Sequence, residues 1–394
     1  MGKKLGMTGN EAIANAMRQA NPDVCAAFPI TPATEIMQRF CTFVSNGEVK
    51  TEAVLVESEH SAMSACIGAS AAGGRVATAT AAQGLALMWE MLFIASGLRL
   101  PIIMGVANRA LSAPLNIHGD HSDGMGARDC GWIHLYSESA QEGYDNMLQA
   151  FRIGEHKDLC LPVMVGIDGF ITSHSIETGE FLDDAVAQKF VGDYKQHLPA
   201  LLDIKNPVSM GALILTDYYH EYRKALDHVM TKVFKVVEDV GKDFEKISGR
   251  PYGLFESYRM EDAEVAIVVM SSAAGTTKDV VDEFRAKGIK AGVVKPRLYR
   301  PFPYIQIGEA LRNCKAVAVL DRADCWGASY GPLYTDITGA LYGYEKRPVL
   351  INKIYGLGGR DYMPDQAEYT LNELVGLAKG GKVKAIKEYI GVRE

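Results

Sequence analysis

The sequence predicts an α/β fold made of two successive units, each with parallel strands that are buried on both faces. Short, continuous apolar runs alternate with helical segments, which is typical of parallel sheets covered by helices. A long amphipathic segment over residues 219–247 ends at Ser248-Gly249-Arg250-Pro251 and separates the two series of strands. We therefore expect one domain over residues 1–250 and a second over residues 251–394.

In the first unit, strand 24–28 ends in the turn Pro29-Ile30-Thr31-Pro32, and Gly73-Gly74 stops the helix that follows the second strand. The other predictions for this unit are, in order, strands 53–56 and 75–80, helix 85–97, strands 101–106 and 162–167, an irregular connector over 168–206 and one long helix over 219–247. The second unit is predicted to contain strand 264–270, helix 278–287 ended by Gly288, strands 291–295 and 316–320, helix 333–341 and strand 349–354.

Composition argues against several classes of protein. The 394 residues carry a net charge of −7 without any block of Lys and Arg, which disfavours nucleic-acid binding. No apolar stretch approaches the roughly 18 residues of a membrane span. The N-terminus lacks the apolar core of a signal peptide, so we expect a cytoplasmic protein. The seven cysteines are dispersed without a CxxC pair, and we expect no zinc site or iron–sulfur cluster bound by this chain alone.

The junction Val56-Glu57-Ser58-Glu59-His60 is the most prominent candidate site, because an apolar strand leads into it and a helix of small residues follows. In α/β folds such junctions lie at the sheet edge where ligands bind. A carboxylate held there away from water suits proton chemistry, since burial shifts the pKa of such groups. The alternative for Glu59 is an exposed glutamate in the first helical turn, stabilised by the helix dipole. The spacing alone leaves both interpretations open.

Arg109 is a candidate anion-binding residue, because it follows an apolar strand and opens the dense polar segment 107–132. Its guanidinium matches a carboxylate bidentately. The alternative is a structural ion pair between Arg109 and Asp120, Asp123 or Asp129.

Three further motifs are weaker. Four metal-binding side chains lie close together in the same segment: His118, Asp120, His121 and Asp123. So many ligands within one short stretch would crowd one another, and we expect no metal there. Gln83 lies in a loop expected after strand 75–80, at the ligand edge of the sheet. GLGGRD, residues 356–361, is like a dinucleotide-binding loop with Asp361 in place of the third glycine, and we expect a tight turn instead.

Several long motifs together resemble one known family. They are FPITPATE, VESEHSAMSACIGASAAGGRVATATAAQGLALMWE, GLRLPIIMGVANRALSAPLNIHGDHSD, MGARDCGW, DGFITSH, YRPFP and GLGGRD. They resemble the α subunit of 2-oxoacid:ferredoxin oxidoreductases, of which pyruvate:ferredoxin oxidoreductase is the best known. The resemblance implies a parallel-sheet domain of the type that binds the pyrimidine half of thiamine diphosphate in thiamine enzymes, followed by an α/β domain like the C-terminal domain of transketolase.

The activity implied by the resemblance is oxidative decarboxylation of a 2-oxoacid on thiamine diphosphate, giving acyl-CoA and CO2 while single electrons pass to ferredoxin. Pyruvate is the commonest substrate in the family, but members acting on oxalate, branched-chain or aryl 2-oxoacids share these motifs. The resemblance also implies a hetero-oligomer with CoA and ferredoxin as further partners. A β subunit would hold the diphosphate and its Mg²⁺, and γ and ferredoxin-like subunits would carry iron–sulfur clusters.

The resemblance also assigns roles to single residues. Glu59 matches the family's glutamate that hydrogen-bonds the aminopyrimidine ring and favours its imino tautomer. Thr31 and Arg109 match substrate-contacting residues, with Arg109 expected on the substrate's carboxylate. Pro29 and Gln83 are candidates for cofactor contact. Two other hypotheses stay open: a non-catalytic assembly subunit, and a nicotinamide-dependent dehydrogenase that the altered GLGGRD motif disfavours.

Overall fold

The computed structural model describes residues 2–393 and forms two α/β parts. The strands of the first part are β1 (Lys3–Met7), β2 (Val24–Ala27), β3 (Glu52–Leu55), β4 (Val76–Thr80), β5 (Ile102–Asn108), β6 (Ile133–Tyr136), β7 (Val163–Asp168) and β8 (Glu177–Phe181). Its helices are α1 (Gly9–Ala20), α2 (Thr34–Ser45), α3 (Glu59–Ala72), α4 (Ala82–Leu87), α5 (Trp89–Gly97), α6 (Ser122–Gly126), α7 (Ala140–Gly154), α8 (Asp184–Val191), α9 (Tyr219–Met230) and α10 (Val233–Ser248).

The second part continues the alternation of strands and helices. Its strands are β9 (Phe255–Tyr258), β10 (Val265–Val268), β11 (Ala291–Pro296), β12 (Leu298–Arg300), β13 (Ala316–Asp321), β14 (Val349–Ile354) and β15 (Lys387–Tyr389). Its helices are α11 (Ala273–Ala286), α12 (Tyr304–Leu311), α13 (Pro332–Tyr342) and α14 (Pro364–Ala378), and a 3₁₀ turn covers Leu357–Gly359. The predicted α/β class is confirmed.

The first sheet has the strand order β12-β6-β7-β5-β4-β2-β3. Its strands pair in parallel except for the edge strand β12, which is antiparallel to β6. The chain passes from β2 to β3 and then crosses back to β4 on the other side of β2. The point where the strand order reverses therefore lies between β2 and β4, and ligands bind beyond the carboxyl ends of the strands at such a point.

The second sheet has the order β15-β14-β13-β10-β11-β9, with parallel pairing except at β9. Because β12 leaves the second part and pairs with β6, the first sheet contains strands from both halves of the chain. A separate two-stranded ribbon joins β1 to β8 in antiparallel register.

The strands are short and apolar because helices bury both faces of the first sheet. One cluster of buried side chains packs α1, α2 and α7 on one face, and another packs α3 and α5 on the opposite face. Helix α3 begins where Ser58 caps it, the Ser58 hydroxyl accepting a hydrogen bond from Ser61 N (3.2 Å), and it ends at Gly73 with φ of +109°. The predicted stop of this helix at Gly73-Gly74 is thus confirmed.

Four predictions about elements are wrong. The helix expected over 278–287 begins earlier, at Ala273. The helix expected over 85–97 begins at Ala82 and is interrupted at Met88, which divides it into α4 and α5. The connector expected to be irregular over 168–206 contains β8 and α8, because β8 pairs with the distant N-terminal strand β1. The single helix expected over 219–247 is two helices, α9 and α10. The break follows Met230, where the Thr231 hydroxyl donates to His228 O (2.7 Å) and competes with the helical pattern.

Among residues 2–393, no helix has both the length and the apolar character needed to cross a membrane.

Candidate functional site

The candidate site lies at the carboxyl edge of the first sheet, around the point where the strand order reverses. Glu59 follows β3, Thr31 follows β2, Gln83 follows β4 and Arg109 directly follows β5. The order β5-β4-β2-β3 makes these strands neighbours. The parallel pairing brings all four carboxyl ends to one edge, so residues that are far apart in sequence share one region.

Glu59 is the first residue of α3, and only 7% of it is exposed. The interpretation of Glu59 as an exposed surface glutamate is therefore wrong. Helix α4 packs directly on it: a Cβ atom placed on Gly84 would lie 2.7 Å from Glu59 Oε1 and 2.5 Å from Thr80 Oγ1. Because those distances are far below van der Waals contact, only glycine lets α4 approach the Glu59 carboxylate this closely.

Around Gly84, which packs on Glu59, three buried polar atoms lack hydrogen-bond partners in the described part of the chain. They are Gln83 Nε2, Gln83 Oε1 and Thr80 Oγ1. Buried amides and hydroxyls are normally hydrogen-bonded, since an unmade bond costs about 1–3 kcal/mol. An unpartnered donor and acceptor in the helix that packs on the Glu59 carboxylate fit the aminopyrimidine ring that the resemblance implies. The loop predicted at Gln83 is wrong, because this residue lies in the first turn of α4.

Arg109 is 6% exposed, and main-chain oxygens hold its guanidinium. Nε donates to Asn116 O (2.9 Å) and Nη1 donates to Thr31 O (2.8 Å), so the turn after β2 and the loop after β5 are joined at this side chain. Burial lowers the pKa of Arg109. Guanidinium groups buried against neutral carbonyls keep their positive charge uncompensated, which suits the binding of an anion.

The ion pairs suggested for Arg109 do not form, because the three candidate carboxylates have other partners. Asp120 accepts hydrogen bonds from Ser122 N (3.0 Å) and Gly358 N (3.1 Å). Asp129 is exposed and lies 3.5 Å from Arg128 Nε. Asp123 contacts the main chain of Arg109 rather than its guanidinium.

Asp123 connects the loops that carry the predicted residues. Its two oxygens accept four hydrogen bonds, from Ala82 N (2.8 Å), Arg109 N (2.9 Å), Asn108 Nδ2 (2.8 Å) and Gly124 N (2.6 Å). Burial raises the pKa of Asp123 to about 6, and these donors oppose that rise. Ala82 has φ of +45°, a strained conformation for a residue with a Cβ, and its bond to Asp123 helps to hold it. The sequence does not reveal this function, since the donors are mostly main-chain groups distant in sequence.

A second buried carboxylate, Asp168 at the end of β7, ties the site to the second part of the chain. His121 Nε2 lies 2.7 Å from Asp168 Oδ1, and Arg322 Nη1 and Ser272 N donate to Oδ2 at 2.9 and 3.0 Å. Burial would raise the pKa of Asp168, but Arg322 and His121 hold it well below its usual range. The potential metal ligands of segment 107–132 therefore have separate partners. Asp123 accepts hydrogen bonds mainly from main-chain donors, and His121 contacts Asp168.

Other residues at this edge form its outer rim. Pro29 and Thr31 are exposed. Phe170, which follows β7 with φ of +64°, packs between two imidazoles, its ring centroid 4.8 Å from that of His118 and 4.6 Å from that of His174. In the sequence, the only indication of this stack was the DGFITSH motif that contributed to the resemblance.

Contacts thus connect every predicted inner residue of the site. Arg109 contacts Thr31 directly, and Asp123 connects the Arg109 main chain to Ala82. Gln83 and Gly84 follow in the same helix, and Gly84 packs on Glu59. The arrangement combines a buried carboxylate, an unpartnered amide and a buried cation, and it can bind a polar ring and an anion side by side.

The comparisons with known proteins agree with these features. Residues 15–242 match the family model described as "Pyruvate flavodoxin/ferredoxin oxidoreductase, thiamine diP-bdg", and residues 263–367 match "Pyruvate:ferredoxin oxidoreductase core domain II". The chain is 50% identical to pyruvate synthase subunit PorA of Thermotoga maritima, over 100% of this chain and 99% of that one. It is 44% identical to the PorA subunit of Pyrococcus abyssi, over 98% of both chains. It is 41% identical to ketoisovalerate oxidoreductase subunit VorA of the same organism, over 96% and 95% of the two chains.

Two solved structures share the fold at low sequence identity. A 2-oxoglutarate:ferredoxin oxidoreductase from Magnetococcus marinus superposes with a TM-score of 0.71 and 20% identity, covering 94% of this chain and 65% of that one. A split-gene transketolase superposes with a TM-score of 0.52 and 12% identity, covering 95% of this chain and 98% of that one. The predicted combination of a thiamine-binding type of domain and a transketolase-like domain is confirmed at the level of fold.

Proposed function

The chain belongs to the 2-oxoacid:ferredoxin oxidoreductase family, and on that premise we propose that it is the α subunit of an enzyme that oxidatively decarboxylates pyruvate. Electrons would pass to ferredoxin and the acyl group to CoA. Pyruvate is the proposed substrate because the PorA relatives are named pyruvate synthase subunits at up to 50% identity. The alternative substrate is a branched-chain 2-oxoacid, because the ketoisovalerate oxidoreductase subunit VorA is 41% identical over nearly the whole chain.

The observation that best supports a catalytic role is the continuous set of contacts from Arg109 through Asp123 to the helix that packs on Glu59. A subunit used only for assembly would not require a buried carboxylate, an unpartnered amide and a buried cation to meet at one edge. The nicotinamide alternative loses its support, because Asn116 and Asp120 of the polar segment 107–132 bind the main chain of Gly358 in the GLGGRD motif.

We assign the cofactor contacts to the buried group beside β3 and β4. Glu59 would hydrogen-bond the aminopyrimidine ring and exchange a proton with it. The Gln83 amide would form hydrogen bonds with the polar edge of the same ring. Bound thiamine diphosphate supplies the nucleophilic carbon that adds to the 2-oxo carbon and the electron sink for loss of CO2. Helix α4 keeps water away from the Glu59 carboxylate, which strengthens its electrostatic interactions.

The substrate contacts are assigned to Arg109 and Thr31. The Arg109 guanidinium would bind the carboxylate of the 2-oxoacid, and the two main-chain carbonyls that hold it would limit its movement. Thr31 is exposed at the rim and would contact the same substrate from the turn after β2, with Pro29 as a weaker cofactor contact. Loop residues Asn116 and His118 would influence which 2-oxoacid is accepted.

Partner subunits would complete this site. We propose that a β subunit holds the diphosphate and Mg²⁺, and that γ and ferredoxin-like subunits carry the iron–sulfur clusters. Three exposed apolar side chains flank Glu59 and its covering helix: Leu55 is 76% exposed, Leu87 51% and Trp89 52%. Apolar groups grouped at a surface are typical of protein interfaces, and these would be covered by the subunit that holds the diphosphate.

The test is a substrate screen of the purified multi-subunit enzyme with a viologen acceptor, with and without CoA, in wild type and in Glu59→Gln. We expect the highest kcat/KM with pyruvate, and a loss of at least about a hundredfold in Glu59→Gln, because a neutral amide cannot take up the proton. Glu57→Gln is the matched control, since Glu57 lies two residues earlier and is exposed. Near-normal turnover in Glu59→Gln would overturn the assignment, and no turnover of any 2-oxoacid by the wild type would overturn the proposed function.

A further inference from the structure

The glycine loop Gly356-Leu357-Gly358-Gly359-Arg360-Asp361 follows β14 and therefore lies at the carboxyl edge of the second sheet. Its three glycines all have positive φ: Gly356 +62°, Gly358 +61° and Gly359 +80°. Because these glycines lack side chains, their main chain can approach the polar loop that begins at Arg109 in the first part.

Both main-chain groups of Gly358 are used by this polar loop. Gly358 O accepts a hydrogen bond from Asn116 Nδ2 (3.0 Å), and Gly358 N donates to Asp120 Oδ2 (3.1 Å). The approach is too close for side chains. A Cβ on Gly358 would lie 2.4 Å from Asn116 Nδ2, and one on Gly359 would lie 2.3 Å from His118 Cβ. The motif therefore requires glycine because it contacts another loop, and both main-chain groups of Gly358 are already used in that contact.

Asn116 connects the glycine loop to the guanidinium of Arg109. Its side chain is held by Gly358, and its main-chain oxygen accepts the hydrogen bond from Arg109 Nε (2.9 Å). Asn116 Oδ1 also accepts from His118 N (2.7 Å), which shapes the loop between the two contacts. The position of one guanidinium nitrogen is thus set by a residue that is anchored in the second part of the chain.

A second anchor holds the other end of the same loop. His121 N donates to Arg322 O (2.8 Å), and Arg322 also pairs with Asp168 through Nη1 (2.9 Å). The Arg322 Nε atom donates to Gly356 O (3.2 Å), so Arg322 contacts both the glycine loop and His121 of the polar loop. The loop that starts at Arg109 is consequently held at Asn116, Asp120 and His121 by groups of the second part.

We propose that the glycine loop 356–361 is a positioning element for substrate binding: through Asn116 it fixes the guanidinium of Arg109 in the orientation that receives the carboxylate of the 2-oxoacid. This inference rests on the proposed function, in which Arg109 binds that carboxylate. Gly358, Gly359 and Asn116 are positioning residues, since they act through Arg109. The second part of the chain thereby contributes to substrate affinity without contacting the substrate.

The test uses the complete multi-subunit enzyme with Gly359→Ala and, as a second variant that adds no steric strain, Asn116→Ala. Gly288→Ala is the matched control, because Gly288 has the same φ of +80° but a Cβ there would meet nothing within 4 Å. We expect both test variants to raise the KM for pyruvate about tenfold, with kcat changed less than about twofold, because misplacing Arg109 weakens binding of the substrate and of the transition state alike. The concentration of thiamine diphosphate that gives half-maximal activity should not change.

Arg109→Lys serves as the reference for the proposed function, and it should raise the same KM at least as much. If Arg109→Lys raises the KM while Gly359→Ala and Asn116→Ala do not, the inference is overturned and the proposed function stands. A loss of kcat at unchanged KM in both test variants, or an equal KM increase in Gly288→Ala, also overturns the inference. An unchanged KM in Arg109→Lys would instead overturn the assignment of Arg109 to the substrate's carboxylate.

Discussion

At the scale of single residues, the site depends on buried charges whose partners are main-chain groups. Arg109 donates to two carbonyls, and Asp123 accepts three of its four hydrogen bonds from main-chain N–H groups. Such partners are invisible in a sequence, because every residue type supplies the same N–H and C=O. The types and positions of Glu59 and Arg109 were predictable, whereas the function of Asp123 required the folded structure.

The elevated pKa of Asp123 makes a pH dependence measurable. Burial raises this pKa from 3.8 to about 6, so ionisation of Asp123 lowers the stability of the fold progressively as the pH rises from about 4 to 6. Above pH 6 the carboxylate accepts its four hydrogen bonds. Below pH 6 the carboxyl group is protonated, and its O–H has only hydrogen-bond donors as neighbours. The hydrogen bonds from Arg109 N and Ala82 N are then weakened. We expect kcat/KM for the 2-oxoacid to fall as the pH drops through about 6.

Asp123→Asn should remove that inflection and lower kcat/KM about tenfold at pH 7, since an amide places N–H groups against N–H donors. The measurement is a kcat/KM profile from pH 5 to 8 for the assembled enzyme. Asp129→Asn is the control, because Asp129 belongs to the same segment and is exposed. If the inflection near pH 6 persists in Asp123→Asn, another group causes it.

At the scale of elements, boundaries depended on contacts that the local pattern does not contain. The first turn of α4 forms at Ala82 because Asp123 holds the Ala82 N–H, so Gln83 lies in a helix and not in a loop. Strand β8 exists because it pairs with β1, from the other end of the first part. Apolar strands of the sheet interior were predicted closely, since burial on both faces gives a continuous apolar run.

The close packing of α4 on Glu59 gives a prediction for Gly84→Ala. In an ordinary helix this change stabilises by about 0.5–1 kcal/mol. Here the new Cβ would lie 2.5 Å from Thr80 Oγ1 and 2.7 Å from Glu59 Oε1, so the helix or the carboxylate must move. We expect the thiamine diphosphate concentration for half-maximal activity to rise at least about tenfold.

The measurement is a titration of the cofactor-depleted enzyme with thiamine diphosphate, followed by activity and by intrinsic fluorescence. Gly97→Ala is the matched control, since Gly97 ends α5 and a Cβ there meets nothing within 4 Å. Unchanged cofactor dependence in Gly84→Ala would show that the contact between α4 and Glu59 does not shape the cofactor site.

At the scale of the whole molecule, buried ionic groups join the two parts. Lys295 is 5% exposed in its side chain, and its Nζ lies 2.7 Å from Glu138, 2.5 Å from Glu142 and 2.9 Å from Glu256. Burial would lower the pKa of Lys295, but the three carboxylates raise it above its usual range. These carboxylates are the one group of potential metal ligands found in residues 2–393, and the ammonium groups of Lys295 and Lys278 already contact them.

Removing this lysine should destabilise the whole chain. In Lys295→Met the Glu142 carboxylate loses its paired cation, whereas Glu138 and Glu256 keep their contacts with Lys278. Breaking a buried pair in this way costs on the order of 3–5 kcal/mol. We expect an apparent melting temperature lower by several degrees, measured by calorimetry. Adding Glu142→Gln should recover part of the loss, because one unpaired carboxylate is then neutral.

The control is Lys235→Met, since the Lys235–Asp239 pair is exposed on α10 and exposed pairs contribute little to stability. Equal melting temperatures for Lys295→Met and Lys235→Met would mean that the ionic cluster does not hold the two parts together.

The sequence by itself determined the α/β class, the family and the residue types of the site, because apolar periodicity and long ordered motifs are local properties of the chain. It also predicted that Glu59 and Arg109 each follow a strand. Because parallel strands share one carboxyl edge, both residues were expected at the same edge of the sheet. Only the tertiary structure decided that Glu59 is buried, that Asp123 joins the loops, and that the GLGGRD segment holds the loop of Arg109. Those features arise from packing and main-chain hydrogen bonds between residues up to 242 positions apart in the chain, and such contacts exist only once both parts have folded against each other.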